Sequence, residues 1–390
     1  METLIELFDQ RPMENVLGVE MFRPRRVVYI CPEFVARSVE IQKKLREYFR
    51  RRGQQVELIF FKADVYNADA VLTLLRSIVE RYPGCSMDIT GGTDAVLFAA
   101  GLLSAEADIP VFTYSRRKNC FYDIRNAPYA EGRLCTLRYE VEDFFLMAGG
   151  SVREGRVNNA LLAHYLSDFD PFFEVFFKYR RGWTKIVTWL QRVSPTGGDG
   201  GFSLEVDGPY TVKGERGSRI DAPEDALRAL ERIDFIRGLN ITAESVSFRF
   251  RDAQIRAWLR DVGSVLETYV YKACLDTGIF DDVRLSVIVD WEAENKNNAV
   301  SNELDVMCCR GVVPLFISCK TCDVKTEALN ELAVLRDRFG GQMARAAIVT
   351  AERGNVRMRN RAAELNIQVI EPSELSPERL RKRLKGCMGL

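Results

Sequence analysis

From residue 3 to about residue 125, short apolar runs alternate with longer stretches whose apolar positions recur every three or four residues. Residues 3–8, 26–31, 56–61, 86–90 and 111–114 are rich in β-branched and aromatic side chains and read as strands. Residues 12–21, 35–52, 68–82 and 93–105 read as helices; Pro12 suits the first turn of one, and Gly53 stops another. Strict alternation of elements this long predicts a mainly parallel, doubly wound sheet of the Rossmann type.

The pattern changes near residue 136. Residues 137–146 alternate like a strand. Residues 157–193 have helical spacing and carry Phe172, Phe173, Phe176, Phe177, Trp183 and Trp189, which read as core or dimer contact ahead of a base-stacking platform. Residues 194–201 read as a loop, and 224–239 as a helix. From about residue 240 a second α/β series begins: helix 263–274, strand 283–291, a hairpin over 303–320 turning near Arg310-Gly311, helix 327–339 closed by Gly340-Gly341, strand 346–350, helix 356–365 and strand 367–370. The chain thus divides into an N-terminal α/β unit (1–135), a mainly helical connection (136–240) and a C-terminal α/β unit (241–390).

Composition narrows the possibilities. Of the 390 residues, 47% are hydrophobic and 28% charged, as in ordinary globular proteins. No apolar run reaches the roughly 18 residues that span a bilayer, and no basic-then-apolar leader opens the chain, so a cytoplasmic protein without membrane contact is expected. The ten cysteines are scattered through mostly apolar segments and read as reduced thiols. Cys319-Lys320-Thr321-Cys322 lacks the second pair of a zinc ribbon. Lysines and arginines balance aspartates and glutamates at 55 each, so contact with nucleic acid must come from local clusters. Candidates are Arg50-Arg51-Arg52, Arg116-Arg117-Lys118, Lys178 with Arg180-Arg181, and residues 379–385. His164 is the single histidine and sits among apolar neighbours, which leaves metal, carboxylate and lysine chemistry.

Two stretches can carry such chemistry. Asp88-Ile89-Thr90-Gly91-Gly92-Thr93-Asp94 joins a strand to a helix: two glycines let backbone approach a ligand, Thr93 can cap the helix, and the helix start favours a phosphate. It is neither a dinucleotide fingerprint nor a P-loop. Asp9-Gln10, Pro32-Glu33 and Ser115-Arg116 lie at the other strand ends on the same side, where such sheets bind ligands. In the hairpin, Asn302-Glu303-Leu304-Asp305 places an acid on one strand, and Leu315-Phe316-Ile317-Ser318-Cys319-Lys320-Thr321 ends the return strand in a lysine. A hard divalent cation on Asp305 would polarise a phosphate and acidify a water, with Lys320 serving that water. Ser318 stands where an acid is usual, two residues before Lys320. It, or a bridging water, fills that place, with the Cys319 backbone carbonyl as a further ligand. Glu303 and Glu267 are the supporting acids, Glu267 acting through a water.

These motifs, with Leu266-Glu267-x-Tyr269-Val270-Tyr271 and Phe339-Gly340-Gly341, resemble in type and order the CRISPR-associated ancillary nucleases of type III systems. In these a CARF domain (a CRISPR-associated Rossmann fold) precedes a restriction-endonuclease-like domain of the PD-(D/E)xK class. The resemblance implies a homodimer whose paired CARF domains bind a cyclic oligoadenylate, cyclic tetra-adenylate above all, in antiviral defence. Binding then activates Mn2+- or Mg2+-dependent cleavage of DNA, RNA or both. Ser318 departs from the pattern and opens an alternative: a sensor whose nuclease fold only binds nucleic acid or a partner. A third reading has the N-terminal unit cleave its own cyclic ligand.

Overall fold

A computed structural model describes residues 1–154, 159–194, 203–214, 217–291 and 301–390. The N-terminal sheet contains β1 (Thr3–Leu7), β2 (Arg26–Cys31), β3 (Glu57–Lys62), β4 (Cys85–Asp88), β5 (Val111–Ser115) and β6 (Cys120–Arg125), in the order β3-β2-β1-β4-β5-β6. Every pair is parallel except β5–β6, so the doubly wound reading holds, with an added antiparallel edge strand that the sequence reading passed over. Helices Ala68–Arg81 and Asp94–Ala107 cover one face through Val71, Leu75, Val96 and Leu103. The stretch read as one helix over 35–52 is two, Glu33–Arg37 and Val39–Arg51. Ser38 breaks it by accepting the Ile41 N–H as an N-cap.

Residues 141–147 overturn the expected strand over 137–146: Val141–Met147 is a helix, opened by a capping box in which Asp143 accepts the Glu140 N–H at 2.9 Å. Its Val141, Phe144 and Phe145 join one continuous core with Leu4, Val27 and Tyr29 of the N-terminal sheet and Val287, Phe316 and Phe339 of the C-terminal unit. The two α/β units therefore share buried apolar surface.

Beyond this helix come β7 (Ser151–Glu154) and the helices Leu166–Tyr179 and Trp183–Val193. Phe172, Phe173, Phe176, Trp183 and Trp189 are all buried within the chain, so this cluster is core and takes no part in stacking bases. His164 lies exposed in a short 3-10 turn. The stretch then adds β8 (Glu205–Pro209), β9 (Thr211–Lys213), β10 (Arg219–Asp221), β11 (Ile236–Ile241) and β12 (Ser245–Phe250). The expected helix over 224–239 stops at Arg232 and gives way to β11. Most of the expected loop 194–201 lies outside the described residues.

The C-terminal sheet holds β13 (Asp282–Asp290), β14 (Ser301–Arg310), β15 (Val313–Lys320), β16 (Arg345–Thr350) and β17 (Ile367–Ile370). Its order is β17-β16-β15-β14-β13-β7, so a strand from the connecting stretch forms its edge. β14 and β15 make the expected hairpin; Gly311, at φ 58°, takes the left-handed turn conformation. Helix Ser264–Thr277 packs on one face through Val265, Leu266 and Val270, and helix Thr326–Gly340 on the other through Leu329, Leu332 and Phe339. A closing helix, Pro377–Cys387, was hidden in the basic run 379–385; Leu380 and Leu384 bury it. No helix of the described residues is long and apolar enough to cross a membrane.

Candidate active site and ligand cleft

Asp305 sits where the regular ladder opens. β14 pairs with β15 only from Val306↔Ile317 onward, and its pairing with β13 skips the step between Leu285↔Val306 and Val287↔Leu304. Opposite that step stands Ser286, whose φ of 53° is left-handed. Residues two apart in a strand normally share a face. Here Leu285 and Val306 enter one core while Val287 and Leu304 enter the other. The strand pair rolls over at this point, and Asp305 sits at the roll with its side chain only 15% exposed.

With no ladder partner on β14, the Cys319 N–H donates to Asp305 Oδ2 at 2.6 Å, and the Ser318 hydroxyl donates to the same oxygen at 3.0 Å. Lys320 Nζ lies 3.6 Å from that oxygen. Ser318 thus hydrogen-bonds the acid. Glu303, two residues back, is held by the Ser286 hydroxyl at 2.5 Å. Glu267 reaches the site from the adjoining helix, its Oε1 lying where a side chain on Gly263 would be: a Cβ there would come within 2.6 Å.

Burial is the largest cause holding the Asp305 carboxyl above the usual range, against the opposing pull of Lys320 and the two hydrogen bonds. Burial, then the fields of Asp305, Asp261 and Glu303, push Glu267 up to about 8. Several acids therefore face one lysine in a poorly solvated place, an arrangement that favours a proton or a cation. Among the described residues no three Asp, Glu, His or Cys side chains converge closely enough to hold a metal alone. A cation here would need backbone, water or phosphate oxygens as well. Sequence reading passed over Asp261 and Ser286. Nothing in a serine's identity signals a left-handed φ inside a strand.

In the N-terminal unit the ends of β1, β4 and β5 meet. Asp9 accepts the Gly92 N–H at 3.1 Å and is itself clamped by Arg11 at 2.8 and 2.7 Å. These bonds hold its carboxyl below the ordinary range, although burial, the largest single influence, works the other way. Thr90 donates to Asp88 and accepts the Tyr114 N–H at 2.9 Å, tying the loop to β5. Gly91 is required by the protein's own backbone, since a Cβ would lie 2.8 Å from that of Asp9 and 2.9 Å from the Leu7 carbonyl; Gly92 has a φ of 101°. Thr93 stands at the helix start without capping it; its hydroxyl donates to the Val65 carbonyl instead. Asp94 is exposed in the first turn, and Ser115 ends β5 half-buried.

The other expected residues are engaged elsewhere or apart. Glu33, after Pro32, pairs with Arg37 and Lys62. Arg116 donates to Glu14 and, at 2.9 Å, to Gln342 of the C-terminal unit. A cleft of about 760 Å³ between the units is lined by Asp9, Gln10 and Lys44 of the N-terminal unit and by Trp291 and Arg338 of the C-terminal one.

A mainly parallel α/β sheet is thus joined to a second sheet whose hairpin brings an acid and a lysine together. Residues 259–388 match the family of Card1-like endonuclease domains. Protein VC1899 from Vibrio cholerae shares the fold at a TM-score of 0.76 and 18% identity, over 100% of this chain and 98% of that one. Can2 from Sulfobacillus thermosulfidooxidans, solved in complex with cyclic tetra-adenylate, shares it at 0.73 and 17%, again over 100% and 98%. No match was found among curated protein sequences. The chain thus joins a doubly wound α/β unit to a stretch that matches Card1-like endonuclease domains, and over its whole length it shares the fold of Can2, in keeping with the motif resemblance.

Proposed function

We propose that this is a divalent-metal-dependent nuclease of type III CRISPR antiviral defence, cleaving DNA, RNA or both when a cyclic oligoadenylate binds at the strand ends of its N-terminal unit. On this reading residues 1–135 sense the messenger, 136–240 connect, and 241–390 cut. The observation that carries it is the convergence of Ser318, Cys319 and Lys320 on one oxygen of Asp305, beside the buried Glu267.

Mn2+ or Mg2+ fits the hard, anionic donor set. Asp305 would hold it, with the Cys319 carbonyl, which leaves the strand on the same side as the N–H already bonded to Asp305. Glu267 would join through a water. When bound, the cation polarises the phosphate and lowers the pKa of a water. Lys320 positions the attacking water and offsets charge growing on the phosphoryl oxygens. Ser318 fixes the Asp305 carboxylate, a role for which a hydroxyl suffices in place of an acid. Glu303, pinned by Ser286, adds negative field behind Asp305.

The messenger would rest on Thr90, Gly91, Gly92, Thr93 and Asp94, flanked by Asp9, Gln10, Pro32, Glu33, Ser115 and Arg116. Cyclic tetra-adenylate has the two-fold symmetry that suits a site made from the same loops of two subunits. Helix Asp94–Ala107, apolar nearly all round, leaves Phe98 63% and Leu102 38% exposed one turn apart, a surface for the second subunit of a homodimer. Cytoplasmic location accords with thiols that are all free.

The test is to incubate the full chain with single-stranded RNA, single-stranded DNA and supercoiled DNA, with manganese and with or without cyclic tetra-adenylate. Cleavage that needs both additions is expected. Folded protein that cuts none of them under any combination contradicts the proposal.

A further inference from the structure

The sequence leaves four basic clusters with nothing to choose between them, and the structure separates them. Arg51 and Arg52 are spent on Glu20, Glu142 and Asp143; Arg116 is held by Glu14, and Arg383 by Glu374. Arg117, Lys118, Arg381, Lys382 and Lys385 have no ion pair among the described residues either, but Arg180 and Arg181 line a pocket whose wall includes the residue after Lys320. They form the short turn between helices Leu166–Tyr179 and Trp183–Val193, both exposed and without an ion-pair partner among the described residues. Arg353, exposed just beyond β16, is likewise without an ion-pair partner among the described residues.

The three arginines line one pocket of about 230 Å³, and that pocket adjoins the active site on two sides. Thr321, in its wall, directly follows Lys320. The next wall residue, Ala351, donates its N–H to the Lys320 carbonyl at 2.9 Å. Val262, also in the wall, directly precedes the Gly263 against which Glu267 leans. Among the described residues Glu352 is the one acid in the lining, so against three arginines they leave an excess of two positive charges. A chain with no net charge has gathered these cations in a pocket whose wall includes the residue directly after Lys320. Guanidinium groups with free N–H donors match phosphate oxygens, and a contact to phosphate carries no base identity.

We propose that Arg180, Arg181 and Arg353 seat a backbone phosphate next to the scissile one and so set the register of the nucleic acid on Asp305 and Lys320. They are positioning residues. Their contact is with phosphate, independent of sequence and sensitive to salt. This inference rests on the nuclease reading, but binding tests it separately from cleavage.

A fluorescein-labelled 20-nucleotide single strand and the matching duplex are titrated with the full chain by anisotropy, in chelator to block turnover, from 50 to 300 mM salt. Arg180→Ala/Arg181→Ala and Arg353→Ala should each weaken binding roughly 5- to 20-fold. Each lost contact should also lower the slope of log affinity against log salt by about 0.7 on single strands and 0.9 on duplex. Lysine at the same positions should restore the slope, whereas Arg125→Ala, at the far sheet edge, should change nothing. In activated turnover the same arginine variants should raise KM and leave kcat within about threefold. Unchanged affinity and slope in both arginine variants, or no binding by the wild type, overturns the inference. Arginine-dependent binding by a protein that never cleaves sustains it and sinks the nuclease reading instead.

Discussion

At the scale of single residues, Asp305 owes its character to three neighbours within hydrogen-bond or ion-pair reach and to the ladder irregularity opposite it at Ser286. Asp305→Asn and Lys320→Ala should each lower activated cleavage by at least about 100-fold, the order seen when a positioned charge is removed from a transition state. Asp305→Asn should leave thermal unfolding unchanged or slightly later, since burial already disfavours the charged carboxylate. Glu267, raised to about 8, must lose a proton for a cation to bind beside it. Manganese affinity, followed by calorimetry, should therefore climb as pH rises from 6.5 towards 8.5 and level off above. Glu267→Gln should flatten that climb. The identities Asp305, Lys320 and Glu267 were legible because acids and a lysine on otherwise apolar elements demand a reason. Ser318's part was legible only as a departure from a pattern, because its bond to Asp305 depends on a register the sequence does not state.

At the scale of elements, periodicity located most strands and helices within a few residues, and its failures have local causes. Residues 137–146 alternate like a strand, yet the capping box at Glu140 and Asp143 starts a helix there. The helix over 224–239 is cut short because Phe235 and Ile236 are drawn into the core of the adjoining sheet. In the N-terminal sheet, β1 and β4 place Glu6 beside Asp88, both fully buried, with one oxygen of each lacking a partner. Gly18 leaves the space: a Cβ there would strike Asp88. Burial raises both carboxyls, Asp88 to about 7. A raised folded pKa gives stability that is complete below the unfolded value and lost as pH climbs through the folded one. Denaturant unfolding should show the wild type losing up to about 1.4 kcal/mol per pH unit relative to Asp88→Asn between pH 5 and 7. A pH-independent difference between the two would contradict the assignment. Gly91→Ala, by crowding Asp9 and the Leu7 carbonyl, should cost about 1–3 kcal/mol and abolish messenger binding measured by calorimetry.

At the scale of the whole molecule, the two α/β units are joined by a shared core and by polar contacts that no local pattern could disclose. Arg116, at the ligand-side end of β5, reaches Gln342 just past the Gly340-Gly341 helix end, and the Tyr114 hydroxyl lies 3.9 Å from the Met343 sulfur. A ligand that shifts β5 would therefore be felt at the end of the helix packed behind the catalytic strand. It can activate only by favouring the cutting arrangement over the idle one. Gln342→Ala should leave messenger affinity within about twofold while reducing the stimulation of cleavage, read from rates with and without ligand. The central claim is that the Asp305–Lys320 hairpin cuts nucleic acid on command from the N-terminal unit. Its most direct test compares initial cleavage rates of wild type, Asp305→Asn and Lys320→Ala on one labelled substrate, with manganese, before and after adding cyclic tetra-adenylate. A ligand-dependent rise in the wild type, absent from both variants, is the predicted result. Equal rates in all three proteins, or a wild-type rate indifferent to the ligand, would contradict it.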